Sequence, residues 1–255
     1  MKVLHISDIH YRKQYTGGNL YEDMLEKMDS GLPRAQKIID TLKDQVDILV
    51  ITGDICDEGT PEDYRTVKTY LDSTGIPYVV CLGNHDCKKA FYAGWYSTDT
   101  DVPYMQVQVL QDIPFISFDN SQDGKPSGYI DEERLQWLTD TLQKYPGSVV
   151  LQHHQFEDLP GIPALENGDR LKSVLIENPP LTVLTGHTHW YAHSTLEGIP
   201  YFTAPSISFR AVNKEDGSVI FSQSEGYAVY EITKECVKEL MHSEHQDKQL
   251  AVWKF

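Results

Sequence analysis

The sequence predicts an α/β fold, and three observations predict it. Short runs rich in β-branched and aromatic residues recur along the chain, several of them apolar throughout, as strands covered on both faces require. Stretches with helical spacing of apolar residues lie between many of them. No linker, repeat or low-complexity segment interrupts the 255 residues, so a single domain spanning 1–255 is expected.

Taken in order, "KVLHIS" is the first strand. In "PRAQKIIDTLKDQ", Ala35, Ile38, Ile39 and Leu42 repeat at i, i+3, i+4 and i+7, which predicts a helix before the strand "VDILVIT". "TPEDYRTVKTYLDS" reads as a helix with Thr60 as N-cap and Pro61 in the first helical position. The run "PYVVCLG" follows, and then "VQVLQDIPFISFD". "DEERLQWLTDTLQKY" opens acidic and carries Leu135, Leu138 and Leu142 on helical spacing. "SVVLQ" and "LTVLTG" are further strands. From Ile199 to Ile232 the pattern is mostly β, with "IPYFTA", "GYAVYEI" and a polar loop around "NKEDGS".

The 38 Asp and Glu outweigh 22 Lys and Arg, giving a formal net charge of -16, and no basic cluster is denser than Lys88-Lys89. Nonspecific binding to nucleic acid or to an anionic membrane is therefore disfavoured, and an anionic substrate would need a strong local positive charge. No apolar stretch reaches the length of a membrane span, and strand residues beginning at Lys2 leave no room for a signal peptide. A cytoplasmic protein is expected. Cys56, Cys81, Cys87 and Cys236 form no C-x-x-C motif or paired framework, which fits free thiols in a reducing compartment.

The stretch "VLHISDIHY" ends an apolar strand with Asp8 and His10, two positions apart and so aimed the same way. Four other runs also end in metal-ligating residue types: Asp54 in "ITGDICD", Asn84 in "GNHD", His153 in "LQHH", and His187 with His189 in "GHTH". Residues at the carboxyl ends of neighbouring strands converge on one crevice. Gly53, Gly83 and Gly186 precede three of these blocks, where a chain leaving a strand turns sharply. Two carboxylates, one amide oxygen and four imidazoles suit divalent Mn, Fe, Zn or Co better than copper(I) or an iron-sulfur cluster. Seven ligands exceed one ion's need; if a carboxylate bridges, they serve two ions, the arrangement used for in-line displacement at phosphorus. Singly, a strand-end Asp or Asn reads as a turn cap and a lone His as a core or surface residue. Five such blocks, each at a strand end, do not coincide by chance.

With these residues in place, the chain resembles the calcineurin-like metallophosphoesterase superfamily. The ordered signature D-x-H, G-D, G-N-H-[DE], H and G-H-x-H matches Asp8/His10, Gly53/Asp54, Gly83/Asn84/His85/Asp86, His153 and Gly186/His187/His189, within residues 5–190. The resemblance implies a four-layer α/β/β/α sandwich. It implies two divalent or mixed-valence ions, Mn, Fe or Zn, one held by Asp8, His10, Asp54 and His189, the other by Asp54, Asn84, His153 and His187. It places His85 near the leaving group as catalytic acid, with Asp86 orienting its ring.

The flanks "GDICDEGTPEDY", "GYIDEERLQWLTDTL", "GIPALENGDRLKSVL" and "TAPSIS" look like the cyclic-nucleotide and glycerophosphodiester phosphodiesterase branch. That branch usually has His-His-Pro-Pro where this chain has His153-His154-Gln155-Phe156, a change that bears on the loop bordering the substrate. Protein serine/threonine phosphatases place an arginine where this chain has Glu58; an arginine clamps a monoester dianion, whereas a carboxylate repels it. Purple acid phosphatases carry a tyrosine ligand where this chain has Asp57. The expected activity is therefore hydrolysis of small phosphodiesters, with 3′,5′-cyclic nucleotides as one substrate class, by metal-bound hydroxide. A phosphomonoesterase or nuclease on the same site, or a non-catalytic scaffold, is the alternative. Nucleic acid and membrane are not expected partners, and analogy with relatives suggests a homodimer through the late β-rich segment.

The remaining polar residues carry plainer readings. His154 either lines the pocket or supports His153, and His5, on the other face of its strand from Asp8, is a core histidine. His193, Tyr11 and Arg12 are read as surface packing, His242 and His245 as solvated, and neither Cys56 nor Cys87 is called for as a ligand.

Overall fold

The computed structural model describes residues 1–15 and 17–254. Three parallel strands, β1 (Lys2–Ile6), β2 (Ile48–Thr52) and β3 (Tyr78–Cys81), form one side of the first sheet, with β3 at its edge. All five residues of β2 are buried, which explains its uninterrupted apolar sequence. β11 (Ser218–Ile232) pairs antiparallel with β1, with β10 (Phe209–Asn213) and, along its whole length, with β12 (Val237–Lys254). The second sheet runs β4-β5-β6-β7-β9-β8, from β4 (Met105–Leu110), β5 (Ile113–Phe118), β6 (Val149–Leu151), β7 (Thr182–Thr185), β8 (Ala192–Leu196) and β9 (Ile199–Thr203). Its inner strands β5, β6, β7 and β9 are parallel.

The two sheets stack through a shared core in which Val3, Val50 and Tyr230 meet Phe115, Leu151 and Phe202. Helices α2 (Gly31–Leu42), α3 (Pro61–Thr74) and α4 (Lys88–Trp95) close the outer side of the first sheet with Ile39, Tyr64 and Phe91. Helices α5 (Glu132–Lys144) and α6 (Gly168–Glu177) close the second with Leu138 and Leu171. The result is the expected four-layer α/β/β/α order. A short helix, α1 (Leu20–Leu25), packs Met24 and Leu25 on Phe209, Phe221 and Leu250.

The helix starts follow the sequence signals. Thr60 caps α3 in a capping box with Asp63, Pro61 sits in its first turn, and Asp131 caps α5. Two readings need correction. The run "VQVLQDIPFISFD" is not one strand but contributes to both arms of the hairpin β4–β5, turning at Gln111 and Asp112, whose φ of 47° and 64° suit a tight two-residue turn. The β region also does not stop at Ile232, because β12 continues it to Lys254.

Candidate metal centre

The carboxyl ends of β1, β2, β3, β6 and β7 meet at one edge of the stack, and each passes directly into one of the predicted blocks. The turns are laced together: Asp8 N–H donates to Gly53 O at 3.1 Å, His10 N–H to Asp54 O at 2.9 Å, and Gly186 N–H to His153 O at 3.1 Å. Asp8, His10, Asp54, His187 and His189 all hold positive φ, between 47° and 68°. Asp and His tolerate this left-handed region better than most residues, and it swings their side chains inward as the strand ends. Two glycines make room. A Cβ on Gly83 would lie 2.1 Å from Asp54 Oδ1, and one on Gly53, itself at φ 89°, would lie 2.4 Å from His153 Nδ1.

Asp8, His10, Asp54 and His189 bring donor atoms within 4.8 Å of one another, and Asp54, His153 and His187 form a second such group. Asp54 belongs to both. His153 Nδ1 bonds Thr52 O at 2.7 Å and His189 Nδ1 bonds Phe209 O at 2.5 Å, which leaves Nε2 as the lone-pair nitrogen of each ring. Those Nε2 atoms point at carboxylates, His153 to Asp54 Oδ2 at 3.2 Å and His189 to Asp8 Oδ1 at 3.2 Å. His187 donates from the opposite nitrogen, Nε2, to Pro163 O at 2.9 Å.

The donors fit a pair of divalent cations. His10 Nδ1 and Nε2, Asn84 Oδ1 and His153 Nε2 are buried without a hydrogen-bond partner, which is costly unless something else satisfies them. The electrostatics make the same demand. Burial opposes ionisation of Asp8, yet the facing His189 and His153 hold its carboxyl down to about 2, and His153, with His85, keeps Asp54 well below the carboxylate range. Burial likewise opposes a charge on His153, but Asp54 and Asp8 push it up to about 9. The buried carboxylates thus call for positive charge, which bound cations would supply in place of imidazole protons.

His85 stands beside this cluster, its N–H donating to Asp54 Oδ1 at 2.8 Å. The expectation that Asp86 orients its ring is corrected: His85 Nδ1 bonds Asp57 Oδ1 at 2.9 Å. Asp86 turns inward, accepting N–H groups of Ile55, Cys56 and Gly83 and the Tyr64 hydroxyl, so it holds the backbone of two blocks together. Asp57 is the shared partner, since its Oδ2 also accepts the Tyr21 hydroxyl at 3.0 Å and lies 3.5 Å from His10 Nδ1. Burial disfavours charge on His85, but Asp54 and Asp57 push it up to about 10; divalent ions in the same place would oppose that rise.

A cavity of about 190 Å³ opens over these residues, lined by His10, Asp54, Asn84, His85, His187 and His189 together with Tyr21, Phe209, Ala211, Ile162 and both Pro126 and Pro163. Sequence reading missed the roles of Asp57, Tyr21 and Phe209: Asp57 closes the block that holds Asp54, but its partners Tyr21 and His85 come from elsewhere in the chain. Glu58 is exposed and is not among the residues that line the cavity. Instead its N–H donates to His85 O at 2.7 Å. His154 is a support: it is buried, bonded to Asn120 and Pro126 O, and packs against His187. His5 is a core residue bonded to Thr52, whereas His242 and His245 are exposed.

Two stacked mixed sheets with this cluster at their meeting edge define a metallophosphoesterase, a class of metal-dependent phosphoric ester hydrolases. Residues 1–191 match the model of the calcineurin-like phosphoesterase family, and the chain belongs to that family. Among similar proteins, a probable cyclic nucleotide phosphodiesterase of Rhodococcus erythropolis is 28% identical over 223 residues, covering 81% of this chain and 71% of that protein. A probable glycerophosphodiester phosphodiesterase, GpdQ, of Arcobacter nitrofigilis is 32% identical over 163 residues, covering 60% of this chain and 57% of that relative. A dimetal phosphatase of Danio rerio superposes with a TM-score of 0.63 at 15% identity, covering 95% of this chain and 99% of the other, a likeness of fold.

Proposed function

We propose that the chain hydrolyses small phosphodiesters, 3′,5′-cyclic nucleotides among them, at a dinuclear centre. Asp8, His10, Asp54 and His189 would hold one ion, and Asp54, Asn84, His153 and His187 the other. When bound, the ions would supply an activated water and stabilise charge at phosphorus. His85 would give its Nε2 proton to the departing alkoxide while Asp57, on Nδ1, keeps the ring in register. The observation that carries the diester preference is the cavity lining: among the described residues, it includes no lysine or arginine to clamp a monoester dianion. The names of the Rhodococcus and Arcobacter relatives support the same choice.

The mixed nitrogen and oxygen donors favour Mn, Fe or Zn. The inter-sheet core supports one domain over residues 1–255, the four unpaired cysteines a cytoplasmic setting, and the long outer strand β12 a homodimer contact. The test is kcat/KM of Mn-loaded protein on bis(p-nitrophenyl) phosphate and p-nitrophenyl phosphate. The diester should be favoured by about tenfold or more, a difference of about 1.4 kcal/mol; a preference for the monoester would overturn the reading.

A further inference from the structure

The candidate ligands lie within residues 1–191, but one wall of the cavity is completed from beyond them. Phe209 and Ala211 lie beyond residue 191 and line the cavity beside Tyr21. Phe209 is 7% exposed and packs on the rings of His10 and His189, with centroids 5.1 and 4.5 Å away. Tyr21 meets Phe209 edge to face at 6.1 Å and lies 5.5 Å from His85. Its hydroxyl is held by Asp57, which leaves the ring as the part offered to the cavity. The six-residue α1 that carries Tyr21 is itself seated on Phe221 and Leu250, again beyond residue 191. The late strands therefore place an aromatic corner directly against the candidate ligands.

We propose that Tyr21 and Phe209 form a specificity wall that grips a planar, apolar arm of the phosphodiester, selecting aryl or nucleoside-like substituents over small alkyl ones. The inference deepens the phosphodiesterase reading and rests on it. The phosphate must sit among the imidazoles and carboxylates, so one ester arm falls beside the adjoining rings, where edge-to-face or offset stacking is available. No charged side chain on this wall competes for the arm. Choice of substituent thus lies with Tyr21 of α1, within residues 1–191, and with Phe209 of β10, beyond them.

The probes are diphenylphosphinate and dimethylphosphinate, monoanions with two carbon arms and no bond to hydrolyse, bound to Mn-loaded protein and measured by calorimetry. Wild-type protein should bind the diphenyl probe about tenfold more tightly, and both Tyr21→Ala and Phe209→Leu should reduce the ratio to about threefold or less, the span expected for losing an aromatic contact. Tyr21→Phe keeps the ring and should keep the ratio. Using the ratio cancels any loss of anion affinity common to both probes. Equal affinity for the two probes in wild type, or an unchanged ratio in both Tyr21→Ala and Phe209→Leu, overturns the proposal. Because binding is read without turnover, a protein that shows the probe preference yet hydrolyses no diester would reject the phosphodiesterase reading and not the wall.

Discussion

Asp57 and Asp86 show how neighbouring carboxylates take different work. Asp57 faces the His85 ring, while Asp86, next to His85 in sequence, points the other way and collects backbone N–H groups. If His85 protonates the leaving group, His85→Ala should lower the rate on an alkyl or cyclic-nucleotide diester by roughly 10²- to 10⁴-fold and affect a nitrophenyl diester much less. Asp57→Asn should show the same leaving-group dependence more weakly; equal losses on both substrates with metal content unchanged would remove the general-acid role. His5 offers a pH test away from the centre. Burial lowers its pKa from 6.5 to about 3, only partly countered by Asp8, with the Tyr230 ring its aromatic neighbour and Thr52 its hydrogen-bond partner. A depressed value means the unfolded chain binds the extra proton, so stability is intact above pH 6.5 and is lost as pH falls toward 3, at about 1.4 kcal/mol per unit. In urea unfolding of metal-free protein, wild type should lose about 2 kcal/mol more than His5→Gln between pH 7 and 5; parallel losses would contradict it. The strand-end blocks were legible because each ends an apolar run with a polar residue type. Asp57, Tyr21 and Phe209 were not, because their roles arise from contacts between elements that adjacency in sequence does not reveal.

At the scale of elements, legibility tracked the strength of the local signal. The N-terminus of α3 was plain from Thr60 and Pro61, and its capping box is present, with Asp63 Oδ2 accepting the Thr60 N–H at 2.8 Å. Asp63 Oδ1 also accepts the Lys13 N–H at 3.0 Å, so the same turn anchors the segment leading to α1. Thr60→Ala should therefore cost about 1 kcal/mol in urea unfolding, and an unchanged midpoint would show that the cap contributes nothing. The β4–β5 turn was hidden because Gln-Asp lacks the glycine that marks most tight hairpins. β12 was missed for a different reason. Its residues are mostly exposed, as suits the outer strand of a sheet, and its polar sequence lacks the apolar run that identified the inner strands. Leu250 near its end is the one buried residue of the strand, and that contact supports α1 and hence Tyr21.

For the whole molecule, two mixed sheets stacked face to face bring five strand ends to one edge and leave helices to cover the outside. The class of fold was legible from alternation, and the four layers from resemblance, since which sheet faces which depends on contacts distant in sequence. The architecture also resolves the charge problem. A chain with net charge -16 can still take an anion where buried carboxylates gather cations, because exposed charges beyond about 8 Å are largely screened at physiological salt. This edge is expected to hold two ions and to use them to cleave a diester. The most direct measurement titrates metal-free protein with Mn²⁺ while following bound ions and bis(p-nitrophenyl) phosphate hydrolysis together. Hydrolysis should be negligible without metal and should rise until two ions are bound per chain. Full activity in the metal-free protein, or a plateau at one ion, would contradict that expectation.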